Sequence, residues 1–340
     1  MRLIFFYLQN KYAEVYFRFF KTEGYFWILK RMLETGVVKE VLVVIDSSQE
    51  MLPIKIMEGM TGISVQGIKN ISGEVRQDDI IWVRGGWRGW FSFLEELKIR
   101  GNKLLLYAAN TGRERWGFWD IIFNDLLGEE VIDATGRKHV DFRKPINPEI
   151  FYPYKTDMKY DVCIGASRIH DKKGQWRTVK ALTEYKKIFG VNLKCILPGN
   201  IINGVNTNNI LSNIKENDLD IDVVGMVSRD KMNEIYNQSK IFIHLGSGGQ
   251  GDRGVLEAMR CGCKVIIGFP KYHCPAACHG HTTVLTNPDN MIEIANYLKT
   301  VINSYTEDTR KEVITYYEQE FGIENVILPK MKLLFETLRN

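Results

Sequence analysis

The stretch from residue 240 to 270 constrains the fold most, because it contains a complete strand–turn–helix–strand unit. A short β-branched apolar run, Ile241 to Leu245, precedes a turn with four glycines at 246–251. Good helix formers follow from Arg253 to Arg260, and the run from Val265 to Ile267 predicts a second buried strand. Short apolar strands that alternate with helices are typical of a parallel sheet covered on both faces.

The glycine-rich turn at 246–251 allows two interpretations. Glycines let the backbone approach a ligand, and the N-terminus of the following helix offers unpaired N–H groups to an anion. This interpretation predicts a phosphate-bearing ligand over the turn. The alternative is an ordinary turn whose glycines only bend the chain, and glycines alone do not separate the two.

The same alternation runs through the whole chain and predicts two doubly wound domains. The 340 residues are 45% hydrophobic, which is enough for two cores. In the first half, apolar runs predict strands at 3–8, 40–45, 80–83, 103–108, 121–123, 131–132 and 140–142, with helices at 25–34 and 90–100. In the second half, strands are predicted at 161–165, 193–197 and 222–224, and helices at 176–188, 230–238, 291–303, 307–320 and 323–338. The Asn-rich residues 203–209 predict an exposed loop.

Charge and hydropathy limit the class of protein. The net charge of +4 is spread over both halves and argues against a nucleic-acid binder. The apolar opening run breaks at Gln9, so it is too short for a signal-peptide core or a membrane span. We therefore expect a soluble cytoplasmic protein. No basic amphipathic helix stands out, and peripheral contact with a membrane stays open.

Four cysteines lie close together in the sequence at 261, 263, 274 and 278, with three histidines among them. This grouping suggests a zinc site, but zinc sites usually have two to four residues between the cysteines of both pairs, and here only one residue separates Cys261 from Cys263. The alternative, which we favour, is a set of buried thiols in a reducing compartment.

Three motifs in order resemble those of GT-B glycosyltransferases, in particular the retaining family 4. Residues 167–174, Ser-Arg-Ile-His-Asp-Lys-Lys-Gly, resemble the signature Gly-Arg-Leu-x-x-x-Lys-Gly. Residues 224–228, Val-Gly-Met-Val-Ser, resemble the strand and loop before the nucleobase. Residues 255–266 resemble the segment Leu-Glu-Ala-Met-Ala-Cys-Gly-x-Pro-Val-Ile. Residues 147–153 resemble the segment that joins the two domains, and the first half is similar in architecture alone.

The resemblance implies an α/β fold of GT-B architecture, with two facing doubly wound, Rossmann-like domains. The first, residues 1–144, would bind the acceptor. A linker at 145–153, where two prolines exclude regular structure, would lead to a nucleotide-sugar-binding domain at 154–320. The last segment, 321–340, would be a helix that packs back on the first domain.

The resemblance also implies roles for the donor-side residues. Arg168 and Lys173 would be catalytic, binding the donor diphosphate and neutralising the leaving group, so that no metal or other cofactor is required. Glu257 would accept hydrogen bonds from the ribose hydroxyls. The donor-binding residues are then Gly225, Met226, Val227, Ser247, Gly248, Gly249, Gln250, Gly251, Asp252, Arg253, Gly254, Val255 and Glu257.

One departure from the family pattern bears on function. Gly249 stands where the family usually has its first glutamate, which lies near the sugar, and Asp252 is the nearest remaining carboxylate. Asp252 also suits a helix-capping position. A retaining reaction would not need a separate general base, because the leaving phosphate can help to deprotonate the acceptor. The alternative function is a non-catalytic nucleotide-sugar or glycan-binding protein. A dehydrogenase is weaker still, because no Gly-x-Gly-x-x-Gly follows the first strand.

Aromatic and basic residues follow two strands of the first half, where the family's cleft is expected. Sugar faces stack on aromatic rings, and arginines hold anionic groups, so this side suits a glycan or a lipid-linked phosphate as acceptor. The alternative for the aromatic residues is core packing. The acceptor-side candidates are Arg84, Gly85, Trp87, Asn110, Thr111 and Arg113.

Overall fold

The chain forms two compact units. The first comprises Met1–Asn147 together with Gly322–Asn340, and the second comprises Pro148–Phe321. The computed structural model describes residues 1–7, 24–45, 62–68, 71–85, 87–107, 116–124, 131–132, 138–141, 144–165, 168–169, 174–201, 205–246, 253–268, 282–284 and 287–339.

The first unit contains an eight-stranded sheet. Its strands are β1 (Arg2–Tyr7), β2 (Glu40–Ile45), β3 (Ile63–Gly67), β4 (Ile80–Arg84), β5 (Lys103–Tyr107), β6 (Ile121–Asn124), β7 (Val131–Ile132) and β8 (Lys138–Asp141). They lie in the order β3-β2-β1-β4-β5-β6-β8-β7, and β7 runs antiparallel to β8 while the other pairs are parallel.

Helices cover both faces of this sheet, which explains why its central strands are nearly continuous apolar runs. Helix α1 (Tyr25–Glu34) packs on the face that carries Leu3 and Phe5. Helix α2 (Phe91–Ile99) packs on the opposite face, against Ile4 and Phe6. All four of these β1 side chains are fully buried.

The second unit contains a six-stranded parallel sheet. Its strands are β9 (Tyr160–Ile164), β11 (Cys195–Pro198), β13 (Ile221–Gly225), β14 (Ser239–His244), β15 (Lys264–Ile267) and β16 (Thr282–Val284), in the order β13-β11-β9-β14-β15-β16. Two short strands, β10 (Arg168–Ile169) and β12 (Asn200–Ile201), pair with each other outside this sheet. The helices are α3 (Gln175–Phe189), α4 (Val205–Glu216), α5 (Arg229–Asn237), α6 (Arg253–Arg260), α7 (Met291–Ser304) and α8 (Glu307–Glu320).

The last helix belongs to the first unit. A π-helical turn at Ile323–Ile327 leads into α9 (Leu328–Arg339). Met331 and Phe335 of α9 are buried in the same apolar cluster as Leu29 of α1. The predicted fold class, two doubly wound α/β domains with a final helix that returns to the first, is confirmed.

One local prediction is wrong. The loop predicted at 203–209 does not extend over its described residues, because α4 begins at Val205 and buries Thr207 and Ile210. Its asparagines favour turns when taken alone, but apolar side chains at helical spacing gain more by packing against the sheet. The helical stretch predicted at 323–338 is confirmed, and its first part is π-helical, because Ile323–Ile327 forms a π-helical turn that runs directly into α9 at Leu328.

The segment before β9 is fixed to the second unit by a buried polar network. The Oδ1 atom of Asn237 accepts from the N–H of Tyr154 at 2.9 Å, and its Nδ2 donates to the carbonyl of Tyr152 at 3.0 Å. Arg310 of α8, only 4% exposed, donates to Asn237 Oδ1 at 2.7 Å and to the carbonyl of Tyr154 at 2.8 Å. A buried guanidinium needs such acceptors, so the network holds the chain in one path as it enters β9.

Within the described ranges, no helix combines the length and the apolar character needed to cross a membrane.

Candidate functional site

The strand order of each sheet indicates where a ligand would bind. In both sheets the order reverses beside the first strand, between β1 and β4 in one and between β9 and β14 in the other. Open parallel sheets bind ligands at the carboxyl ends of the strands next to such a reversal. The loops that follow β9 and β14 are the Arg168 motif and the glycine-rich turn.

Gly165 lets the chain leave β9 close to β14. Its N–H donates to the carbonyl of Ile243 at 2.8 Å. A Cβ at this position would lie 2.5 Å from the ring of Phe242. Because real Cβ atoms do not approach other carbons so closely, any larger residue here would have to displace the ring of Phe242, which is buried.

Gly174 brings the loop after β9 against the turn after β14. It has a φ of +74° and lies at the N-cap of α3. A Cβ there would lie 2.2 Å from the carbonyl carbon and oxygen of Leu245 and 2.6 Å from the amide nitrogen of Gly246. The two loops predicted to hold the donor diphosphate are therefore in backbone contact.

Arg177, in the first turn of α3, supports the same turn from the side. Its Nε donates to Asp289 Oδ1 at 2.6 Å, and its Nη1 donates to the carbonyl of Leu245 at 3.4 Å. The guanidinium also lies 4.6 Å from the centroid of the Trp176 ring. These contacts tie the end of β14 to α3 and to the residues just before α7.

The structure describes only part of the predicted diphosphate site. Arg168 and Ile169 form β10, which pairs with Asn200 and Ile201 of β12, and this pairing anchors the start of the motif. The side chain of Arg168 and the whole of Lys173 lie outside the described residues. So do Ser247, Gly248, Gly249, Gln250, Gly251 and Asp252. Their roles stay predictions.

The loop after β13 exposes a large apolar side chain. Gly225, with a φ of +68°, ends the strand, and its carbonyl accepts from the N–H of Gly199 at 2.8 Å. Met226 is 79% exposed, and Val227 beside it is half-buried. Ser228 then caps α5 by accepting from the N–H of Lys231 at 3.1 Å. The loop is held at both ends, and Met226 lies exposed between them.

Glu257 lies on α6 and is only 5% exposed. Its Oε1 atom accepts from Nη1 of Arg229, the first residue of α5, at 2.6 Å. Arg253 and Gly254, in the first turn of α6, are half-buried. Val255 is 1% exposed and packs in the core.

The cysteines near this site are buried thiols in the described part of the chain. Cys261 and Cys263 donate to Asn233 Oδ1 at 3.2 Å and to the carbonyl of Tyr236 at 3.0 Å. Burial raises the pKa of Cys263 to about 12 and that of Cys261 well above its usual range, which disfavours the thiolate that a metal needs. Among the described residues, no group of three His, Cys, Asp or Glu side chains could hold a metal ion. Cys274 and Cys278 lie outside them.

On the first sheet, an arginine surrounded by tyrosines lies at the point where the strand order reverses. Arg84 ends β4 and is 7% exposed. In register with it are Tyr7 at the end of β1 and Tyr107 at the end of β5. Its guanidinium carbon lies 4.4 Å from the ring centroid of Tyr25, 5.1 Å from that of Tyr7 and 5.8 Å from that of Tyr107. We call these four residues the Arg84 cluster. It places a buried positive charge at the carboxyl edge of the sheet.

The other acceptor-side candidates are less informative. Gly85 has a φ of +65° and turns the chain away from β4. Trp87 is 4% exposed and packs edge-on against Trp119 at 5.6 Å between ring centroids. In this structure Trp87 is a core residue. Asn110, Thr111 and Arg113 lie outside the described residues.

A family comparison matches the half of the chain that contains the donor-side loops. Residues 147–320, just over half of the sequence, match the family described as glycosyl transferases group 1. The chain belongs to this family. A comparison of the sequence with curated proteins finds no significant match.

Solved structures share the fold of this glycosyltransferase across its whole length. The Anabaena protein HepE, in complex with UDP, has a TM-score of 0.69 at 13% identity, with 99% of this chain and 100% of that chain covered. A glycosyltransferase from Rickettsia africae has a TM-score of 0.69 at 16% identity, covering 100% and 98%. A trehalose-6-phosphate protein from E. coli, bound with UDP-2-fluoro glucose, has a TM-score of 0.66 at 10% identity, covering 100% and 99%. The predicted GT-B architecture is thereby confirmed.

Two arginines that lie beside the predicted donor-side residues were not predicted from the sequence. Arg229 follows the 224–228 motif directly, but its partner Glu257 lies 28 positions away. Arg177 and Asp289 are 112 positions apart. A basic residue in the first turn of a helix interacts unfavourably with the helix dipole. This unfavourable position was the one local signal that the two arginines form specific contacts elsewhere.

Proposed function

We propose that the protein transfers a sugar, a hexose or a related sugar, from a nucleoside-diphosphate sugar to a glycan or lipid-linked acceptor. The reaction proceeds with retention of configuration and needs no metal. The second unit binds the donor, and the first unit binds the acceptor. The carrying observation is the backbone contact of Gly174 with Leu245 and Gly246.

That contact supports a diphosphate site for a physical reason. Two βα loops that touch through a glycine leave their backbone N–H groups and the start of α6 available to phosphate oxygens. Arg168 and Lys173 belong to one of these loops and Gly246 to the other. Positive charge from both sides would stabilise the leaving diphosphate, where the negative charge grows in the transition state.

The same residues support a metal-independent reaction. A diphosphate leaving group needs either a divalent cation on carboxylates or fixed basic side chains. The Asp-x-Asp spacing on the donor side occurs at Asp218, Asp220 and Asp222, which lie at the amino end of β13 and so at the edge of the sheet opposite the donor loops. Arg168 and Lys173, by contrast, are five residues apart in the donor loop itself. The guanidinium binds phosphate oxygens in a bidentate manner, and the ammonium acts as a point charge.

The Arg84 cluster supports an acceptor that carries a negative charge. It lies at the carboxyl edge of the first sheet, beside the reversal of strand order. Tyrosine rings and a guanidinium suit the sugar and phosphate of a lipid-linked or phosphorylated glycan. Peripheral contact with a membrane would follow for a lipid-linked acceptor.

A non-catalytic binding protein is the second candidate, and Gly249 favours it. A glycine there lacks the carboxylate that the family usually places near the sugar. Such a protein would bind a nucleotide-sugar without releasing nucleoside diphosphate.

A donor panel tests the proposal and separates the two candidates. UDP-sugars come first, because HepE has been solved with UDP-glucose and the E. coli protein with UDP-2-fluoro glucose, followed by GDP- and ADP-sugars. We expect one donor to raise the melting temperature and to release nucleoside diphosphate slowly even without acceptor, in the presence of EDTA. Tight binding without release across a broad acceptor panel would favour the binding protein. Activity lost with EDTA and restored by magnesium or manganese would refute the metal-independent mechanism.

A further inference from the structure

We propose that Arg229 is a positioning residue that holds Glu257 for the ribose of the donor and makes the site prefer ribonucleotides over deoxyribonucleotides. The inference rests on the proposed donor site. The observation that carries it is the ion pair between Arg229 and Glu257, which joins the start of α5 to the middle of α6.

The burial of Glu257 makes a partner necessary. Its side chain is 6% exposed, and an ionised carboxylate is costly to bury unless it is paired and hydrogen-bonded. Arg229 provides that pairing at 2.6 Å, the length of a charge-assisted hydrogen bond. The pair therefore holds the carboxylate of Glu257 in one orientation before any ligand arrives.

The pair uses only one of the two carboxylate oxygens. Oε1 accepts from Arg229, whereas Oε2 accepts no hydrogen bond from any residue that the structure describes. An ionised carboxylate can accept about four hydrogen bonds, so Oε2 keeps its capacity for the vicinal hydroxyls of a ribose. A deoxyribose lacks one of these donors and would leave that capacity unused.

The position of Arg229 links the ribose site to the loop at residues 225–228, which is predicted to face the nucleobase. It follows Ser228, which caps α5, and the exposed Met226 lies three residues before it. On its other side, the guanidinium carbon lies 5.8 Å from the ring centroid of the buried Phe151. The arginine is thus held by its own helix and by an aromatic ring while its Nη1 reaches Glu257. A guanidinium held in this way fixes the carboxylate more firmly than a mobile lysine would.

Two other roles for the ion pair make different predictions. If Arg229 only stabilises the fold, its removal weakens all nucleotides alike. If Arg229 competes with the ribose for Glu257, its removal tightens ribonucleotide binding. Only a positioning role predicts a loss that is specific to the ribose hydroxyls.

The test is calorimetric titration of UDP, GDP and ADP, and of the 2′-deoxy and 3′-deoxy forms of whichever binds. We expect Arg229→Gln to weaken the ribonucleotide about tenfold and the deoxy forms less than twofold, a factor that the loss of one charge-assisted hydrogen bond supplies. Arg229→Lys should recover part of the discrimination. Lys231→Ala is the matched control, since it removes an exposed ion pair with Glu234 from the same helix, and it should leave both affinities unchanged.

Each contrary result has its own meaning. Equal losses for ribose and deoxyribose forms, or tighter ribonucleotide binding, would overturn the positioning role. If Arg229→Gln does not fold, Arg229→Lys carries the test, and undiminished discrimination in it would count against the inference. Failure of the wild type to bind any of the three nucleotides would overturn the proposed function itself. Wild-type binding with discrimination lost in Glu257→Gln but retained in Arg229→Gln would overturn only the inference.

Discussion

The two sheets share the order of six strands, to which the first sheet adds β8 and β7, but the carboxyl edges beside their reversal points are built differently. In the second unit, that edge is lined by glycines at close contacts, Gly165 against the ring of Phe242 and Gly174 against the backbone of Leu245. In the first unit, it is filled by large side chains, with Arg84 surrounded by Tyr7, Tyr25 and Tyr107. One edge presents backbone, and the other presents side chains.

This difference matches the two ligands that we propose. Backbone N–H groups at helix starts suit a diphosphate, a group that every donor of this kind has in common. Side chains suit an acceptor, because its shape and charge can be matched by exchanging residues without moving the sheet. We infer that the glycine edge is fixed by geometry and that the side-chain edge is free to vary.

The largest expected effect is that of a substitution at Gly174, and it tests whether the glycine edge depends on close backbone contact. Gly174 and Gly190 stand at the two ends of α3 with similar φ values of +74° and +68°. A Cβ at Gly174 would lie 2.2 Å from Leu245, whereas nothing lies within 4 Å at Gly190. We expect Gly190→Ala to lower the free energy of unfolding by about 1 kcal/mol, the cost of a left-handed backbone for a non-glycine residue. Gly174→Ala should cost more than about 3 kcal/mol and abolish donor binding, because backbone must move.

Urea unfolding of both variants and titration with the nucleotide identified above would measure these effects. Equal losses of stability in the two variants, with donor binding intact in both, would show that the contact at Gly174 has no role in the donor site.

The second effect concerns Arg168 and Lys173. Each alanine variant should lose on the order of 2–4 kcal/mol of transition-state stabilisation, the scale of one preorganised donor, as measured by kcat/KM. The double variant should fall well short of additive, because both residues act on one diphosphate. Thermal unfolding is the control, and we expect it to change little, since the proposed role of both residues is to bind the diphosphate. Single variants with near wild-type kcat/KM would contradict the assignment.

The contrast between the two edges also explains what the sequence could predict. The strands were predictable because burial on both faces makes runs such as Glu40–Ile45 and Ile80–Val83 almost wholly apolar. The close contact between the loops after β9 and β14 has a trace in the sequence, because the backbone contact at Gly174 admits only glycine. A strict steric requirement leaves a local mark in the sequence.

Contacts between distant side chains leave no such mark. The pairing of Arg229 with Glu257 and the clustering of Arg84 with three tyrosines depend on which strands and helices become neighbours. The helix at Val205–Glu216 was missed for a related reason. Its asparagines favour a turn when they are considered alone, and the helix is favoured by the burial of Ile210 in the apolar core of the second unit. Tertiary packing determines these features, and a short stretch of sequence does not show which distant residues will pack together.

The smallest expected effect sharpens the comparison at the side-chain edge. Arg84→Met should lower the free energy of unfolding by about 1–2 kcal/mol, because it removes cation–π contacts of a desolvated guanidinium. Arg88→Met is the matched control, as this exposed arginine lies 5.8 Å from the ring centroid of Trp87, and we expect a change below about 0.5 kcal/mol.

The two catalytic readouts decide what Arg84 does. Release of nucleoside diphosphate without acceptor depends on the donor site alone, so Arg84→Met should leave it within about twofold of wild type, a shift of less than about 0.5 kcal/mol. Transfer to an anionic acceptor should fall about tenfold or more, because the charge that binds the acceptor is gone. Arg84→Lys should keep part of the transfer, since it retains the charge but not the planar fork. An equal fall in hydrolysis and transfer would mean that Arg84 supports the fold as a whole. The charge of Arg84 would then have no role in binding the acceptor.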